Sequence, residues 1–131
     1  MPAGLYLVTL LNDEPIPVNA HDHRIADRCI RVNRLNCKVG VTRDLVRRRR
    51  DYERTFGAEY VTFQPYAVVD EDIAEDAERI VLQQVHEYRV RGRTGRPNEW
   101  LVGIEPQQAL HLALYALNAS ELEYELWNDI E

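Results

Sequence analysis

The chain is short of several residue types, and each shortage excludes something. Two cysteines, Cys29 and Cys37, are too few for a disulfide framework. They read as reduced thiols, with Cys37 in the core. No apolar run approaches the roughly 18–20 residues of a membrane-spanning helix. Met1-Pro2-Ala3 leads straight into a strand-like segment without a basic leader, so the sequence predicts a cytoplasmic protein. Glycine and proline number six each, too few for a low-complexity linker. Lysine is nearly missing: of 16 cationic side chains only Lys38 is not arginine.

What is present is an ordinary globular composition, 45% apolar and 29% charged, in 131 residues, enough for one domain with a real core. The net charge of −6 by itself argues against a nucleic-acid partner. Its distribution argues otherwise. Residues 105–131 carry six carboxylates and no Lys or Arg, so residues 1–104 are neutral overall, with arginines clustered at 24–34, 43–54 and 89–96. Arginine's planar fork suits bidentate phosphate contacts. The same clusters are equally compatible with surface Arg–Glu pairs.

Residues 4–11 alternate with apolar side chains on both faces and predict a buried strand. Pro15 and Pro17 break it, and a short strand follows at 30–32. A shift of phase near Asn33-Arg34 predicts a bulge or turn before a strand through Cys37 and Val39. Thr42 is placed as a helix N-cap with Asp44 in the first turn, and the helix runs to about residue 55 and stops at Gly57. Residues 59–69 predict a strand interrupted by Pro65. A second helix runs from 70 to 88 or 91, a short strand covers 99–102, and a third helix covers 106–117. Residues 121–126 alternate as a half-exposed strand. The predicted class is α+β: antiparallel or mixed strands with helices packed on them.

Leu45, Arg48, Arg49, Tyr52 and Phe56 share one helix face at spacings of three and four. Arg48 thus interrupts a stripe of Leu, Tyr and Phe. A cation there demands an anion, supplied either by a carboxylate of the chain or by a ligand phosphate. Glu78, at the edge of the second helix's apolar arc, is either an arginine partner or a metal ligand. Tyr6 alone in a strand is most simply a core residue, and Lys38 alone is unremarkable.

Taken together, these segments resemble the GIY-YIG nuclease superfamily. Gly4-Leu5-Tyr6 is similar to the first motif. Lys38-Val39-Gly40 is similar to the second, in the Lys-Ile-Gly-like form of a phage and restriction-enzyme branch. The run from Val41 to Arg48 resembles the family's Gly-x-Thr, cap, Leu and catalytic Arg. Tyr52 stands where members carry His or Tyr. Glu78 falls where the family has its metal-binding Glu, and Arg89-Val90-Arg91-Gly92 with Glu99-Trp100-Leu101 is similar to that branch's ending. The resemblance spans residues 4–102, making 1–104 a nuclease-like domain with a basic insertion at 12–36, and 105–131 an acidic helix and strand packing on it. It departs from the family in replacing the YIG tyrosine with Lys38 and in the long insertion, where His21-Asp22-His23 lacks a third ligand at metal-site spacing.

The resemblance implies Mg²⁺-dependent hydrolysis of DNA phosphodiesters, with Mn²⁺ as an alternative ion. Tyr6 would be the general base, its acidity raised by the Lys38 and Arg48 charges. Arg48 would bind the scissile phosphate, Tyr52 would orient water or phosphate, and Glu78 would hold the metal. Arg43, Arg47, Arg50 and Asn98 are the candidate substrate contacts; Glu99 is an alternative carboxylate. The alternative is a non-catalytic module of the same fold binding DNA or protein. A homodimer through the last strand, or a separate specificity subunit, completes the expected partners.

Overall fold

A computed structural model describes residues 2–17, 30–91 and 97–127, with backbone only at Pro97 and Asn98. The insertion's His21, His23, Arg24 and Arg28, together with Cys29, lie outside the described residues. The elements are β1 (Ala3–Leu10), β2 (Ile16–Pro17), β3 (Arg31–Val32), β4 (Cys37–Thr42), α1 (Leu45–Phe56), β5 (Val61–Val69), α2 (Ala74–Gln84), β6 (Arg89–Arg91), β7 (Pro97–Leu101), α3 (Pro106–Ala119) and β8 (Glu125–Leu126). One six-stranded antiparallel sheet has the order β6-β7-β4-β1-β5-β8, and β2 pairs with β3 as a separate ribbon. The class is α+β, an antiparallel sheet flanked by three helices.

The alternation of β1 explains the layering. Leu5 and Leu7 point to one face with Cys37, Val39 and Val41 of β4, and there α2 and α3 close the core through Ala77, Val81, Leu110, Ala113 and Leu117. Tyr6, Val8 and Leu10 point to the other face and meet Tyr52 and Phe56 of α1, Phe63 of β5 and Trp100 of β7. Both faces are covered, so β1 is buried almost throughout. Residues 106–119 are therefore part of the main core rather than an appended cover.

Two glycines permit close approaches that no other residue could make. A Cβ on Gly4 would lie 2.2 Å from the Ala67 carbonyl oxygen and 2.9 Å from Leu45 of α1. A Cβ on Gly40 would lie 2.6 Å from the Tyr6 hydroxyl. Tyr6 and Gly40 are cross-strand partners, so the phenol lies over the bare backbone of β4.

Four local expectations are corrected. Thr42 is not the N-cap: it is still paired to Gly4 in the sheet. Asp44 caps α1, its carboxylate accepting from Arg47 N at 3.1 Å, while Thr42 Oγ1 accepts from Asp44 N at 3.2 Å. Pro65 does not interrupt β5, because a register shift opposite Leu5/Tyr6 absorbs it as a bulge at Tyr66. The second helix ends at Gln84, since residues 86–88 form a 3₁₀ turn and Arg89–Arg91 pair with β7. The last strand shrinks to Glu125–Leu126. Glu121, at φ 58°, and Leu122 instead turn back to close α3, with Leu122 N donating to Leu117 O. The phase change before β4 is a turn, as expected, with Asn36 N donating to Asn33 O.

Candidate functional site

The site lies along β4. That strand has β1 beside it from Cys37 to Thr42 but meets β7 only at Cys37↔Leu101 among the described residues. A cleft of about 330 Å³ runs between α1 and α2 at the Val41–Thr42 end of the strand. Val41, Thr42, Arg43, Asp44, Arg47, Arg48 and Asp51 form one side; Ala74, Glu75 and Glu78 form the other.

Behind the cleft is a stack on the α1 face of the sheet. Lys38 is 7% exposed, and its ammonium donates to Glu99 at 2.7 Å and sits 5.0 Å from the centre of the Tyr52 ring. The Tyr6 and Tyr52 hydroxyls are 3.3 Å apart. Phe63 stacks on Tyr6 at 4.8 Å between centroids, and Trp100 meets Tyr52 edge-on at 6.3 Å. Aromatic packing thus fixes both phenols in place.

Electrostatics joins the stack to the cleft. Burial alone would pull Lys38 down, but Tyr6, Tyr52 and Glu99 outweigh it and hold the ammonium protonated above its usual range. The Lys38 charge, with its hydrogen bond, keeps the Glu99 carboxyl below the usual carboxylate range. Burial pushes the Glu78 carboxyl up; Glu99 adds to the rise, and Lys38 and Arg48 only partly oppose it. Arg48, half-buried, loses to burial but regains through Tyr6, Tyr52, Asp51 and Glu78, and stays charged. Tyr6, Lys38, Arg48, Tyr52, Glu78 and Glu99 therefore share one electrostatic environment.

Arg48 and Glu78 line the same cleft without pairing. Among the described residues no ion pair involves either. The carboxylate expected to neutralise an arginine in this stripe is not bonded to it.

The expectation for Tyr6 is corrected. Burial raises its pKa well above the ordinary phenol value, and the downward pull of Lys38 and Arg48 does not outweigh it. At 2% exposure the hydroxyl loses more hydration than two cations return. In this state Tyr6 is a protonated phenol.

The other expected residues divide. Arg43 and Arg47 line the cleft, Arg43 with a long 3.8 Å contact to Glu75. Arg50 is exposed, off the apolar stripe, and does not line the cleft. Tyr6, Lys38 and Tyr52 are buried and do not line the cleft; Tyr52 touches Tyr6 through its hydroxyl. The Asn98 side chain lies outside the described residues. Arg49, placed in the apolar stripe by its spacing, reaches out to donate to Phe63 O at 2.9 Å and lies over the Phe63 ring.

The Glu99–Lys38 pairing was the residue-level feature sequence spacing missed. A lone lysine inside a buried strand signals that a carboxylate must come to it, but nothing in the spacing says which. Burial, then Glu105, pushes the Cys37 thiol up to about 11, away from the thiolate form.

The cleft's charge bears on what it can hold. Arg43, Arg47 and Arg48 face Asp44, Asp51, Glu75 and Glu78, so the carboxylates exceed the arginines by one. An anion enters such a cleft most favourably together with a cation. Glu78, half-buried, unpaired and pushed toward neutrality, is the donor a hard divalent ion would stabilise. No cluster of three His, Cys, Asp or Glu side chains exists among the described residues. A magnesium ion held by one carboxylate and waters needs none.

Fold and site define an α+β protein with a mixed-charge cleft between two helices and a buried tyrosine–lysine stack behind it. Comparison with protein-family models, with curated proteins and with solved structures gives no match. No helix among the described residues is long and apolar enough to cross a membrane.

Proposed function

We propose that this chain is a GIY-YIG-type endonuclease that hydrolyses DNA phosphodiesters with a divalent metal. The observation that carries the reading is Arg48 and Glu78 in one cleft without an ion pair between them, with Tyr6 and Lys38 close enough to act on their charges. An internal salt bridge would have satisfied Arg48 without any ligand.

Glu78 would hold Mg²⁺, or Mn²⁺, with waters completing the shell. The bound ion would supply positive charge to a non-bridging oxygen and to the leaving 3′-oxygen. Arg48 binds the scissile phosphate and stabilises the charge that develops on it. Tyr6 takes the proton of the attacking water as its phenolate. Lys38, fixed by Glu99, offsets that phenolate, and Tyr52 positions the Tyr6 oxygen through its hydroxyl. Arg43 and Arg47 hold neighbouring phosphates at the mouth. DNA would be selected by its structure or through a separate specificity subunit.

The protonated state of Tyr6 favours a second reading, a non-catalytic DNA-binding module on the same scaffold. The two separate in one assay, nicking of supercoiled plasmid in Mg²⁺ or Mn²⁺. The nuclease reading expects nicking that Tyr6→Phe, Arg48→Ala and Glu78→Ala each abolish with circular dichroism unchanged. It also expects the rate to rise about tenfold per pH unit through the neutral range, because the phenolate is the minor form and its fraction grows that steeply below its pKa. A wild-type protein that binds DNA but never nicks it is the module. Full activity in Glu78→Ala removes the metal assignment.

A further inference from the structure

A second groove begins where the cleft ends. It encloses about 600 Å³ on the outer side of α2 and shares Glu75 and Glu78 with the cleft. Past those carboxylates its wall is Arg79, Gln83, His86 and Arg89. These residues follow α2 at spacings of three and four, so they form one stripe leading away from Glu78. The stripe continues into the turn at 86–88 and the first residue of β6.

The arrangement is a sequence of charges: the arginines of α1, then the two shared carboxylates, then a second set of donors. Glu78 and Gln83 are five residues apart, about 7.5 Å of helical rise. Successive phosphates of one B-form strand advance by ~3.4 Å along the axis. Because the strand also winds around that axis, its successive phosphates lie about twice that rise apart, and this stretch of groove reaches about one phosphate beyond one seated at the cleft.

Arg79 is available for such a contact. Its internal partner is Asp76 at 3.6 Å, an i,i+3 pair in which both side chains are about two-thirds exposed (67% and 68%). A pair of that kind is worth little and is readily exchanged for a phosphate. Gln83 and His86 are exposed, with polar ends suited to backbone oxygens. Leu82 supplies the apolar floor.

We infer that this groove is a second phosphodiester subsite, holding the same strand's phosphates beyond the scissile one, with Arg79 and His86 as its principal contacts. The inference rests on the cleft being a phosphodiester site. It assigns the substrate class as a polynucleotide rather than a single phosphodiester, because the cleft and groove together offer places for more than one phosphate.

The test is fluorescence anisotropy of a labelled 14-mer duplex at several salt concentrations, with Ca²⁺ in place of Mg²⁺, on wild type and on the double variant Arg79→Gln, His86→Gln. Both residues are exposed, so the variant folds, and circular dichroism checks it. The expected result is a Kd weaker on the order of tenfold and a salt slope smaller by about 1 for each phosphate no longer held. Arg79→Lys, which keeps the charge, retains most of the slope. An unchanged Kd and slope in the double variant overturns the groove while leaving the nicking assay to judge the nuclease. A shifted Kd in a protein that never nicks keeps the groove and removes hydrolysis. A wild type that binds no duplex at any salt removes both.

Discussion

Removing either partner of the Lys38–Glu99 pair deletes the same 2.7 Å interaction, yet the two deletions should differ sharply in cost. The Lys38 side chain is 9% exposed and that of Glu99 is 43% exposed. Glu99→Gln leaves an ammonium buried among Tyr6, Tyr52 and the strand, with its charge uncompensated. Stranding a buried charge costs about 3–5 kcal/mol. The aromatic face of Tyr52 and a glutamine oxygen return part of that, so a loss of about 2–3 kcal/mol is expected. Lys38→Met leaves Glu99 with nearly half its surface in water and fills the slot with an apolar chain of similar length; the expected loss is below about 1 kcal/mol. Urea unfolding at pH 7 measures both.

The sign of the pH dependence follows from the same pair. The Glu99 pKa is depressed in the fold, so its contribution is present above the unfolded carboxylate value and lost as pH falls through the folded one. The difference between wild type and Glu99→Gln should therefore shrink on acidification through the carboxylate range. Equal losses for the two variants, or a larger loss for Lys38→Met, would refute the reasoning that burial of the lysine decides the cost.

Glu78 should behave in the opposite way. Its folded pKa is raised, so the ionised carboxylate weakens the fold as pH rises from the unfolded carboxylate value through the folded one. Glu78→Gln should abolish nicking and raise the urea midpoint at pH 7; a lowered midpoint contradicts the unpaired assignment. Gly40→Ala should lose activity and about 1–3 kcal/mol of stability, because its Cβ would stand 2.6 Å from the Tyr6 hydroxyl and push the ring off β4. Near-UV circular dichroism reads the displaced ring, and an unchanged tyrosine signal with full activity contradicts the close approach. Gly4→Ala should cost more still, since its obstacle at 2.2 Å is the backbone carbonyl of Ala67.

Much of the architecture was legible because the chain alternates cleanly. The faces of β1, the stop of α1 at Gly57, and the apolar face of α3 all follow from period and punctuation. The ends were not legible where two uses competed for one residue. Thr42 has the chemistry of a cap but the pairing of a strand. Glu121 and Leu122 have the alternation of a strand but are needed to close α3. At the site, spacing along α1 located Arg48, because a cation inside an apolar stripe is a local anomaly. It misjudged Tyr6, because the balance between burial and neighbouring cations is a tertiary quantity. Glu99 was invisible as the partner of Lys38 for the same reason: 61 positions separate them in the chain and 2.7 Å in the fold.

The two ends of the sheet carry opposite charge. At one edge β6 presents Arg89 and Arg91. At the other, β8 and the turn before it expose Glu121, Glu123 and Glu125. A polyanion approaching this molecule meets an attractive end and a repulsive one, and the torque between them turns the basic edge forward before any contact forms. For such a ligand the exposed glutamates would bear on the angle of arrival, an influence that fades over the ~8 Å screening length of physiological salt.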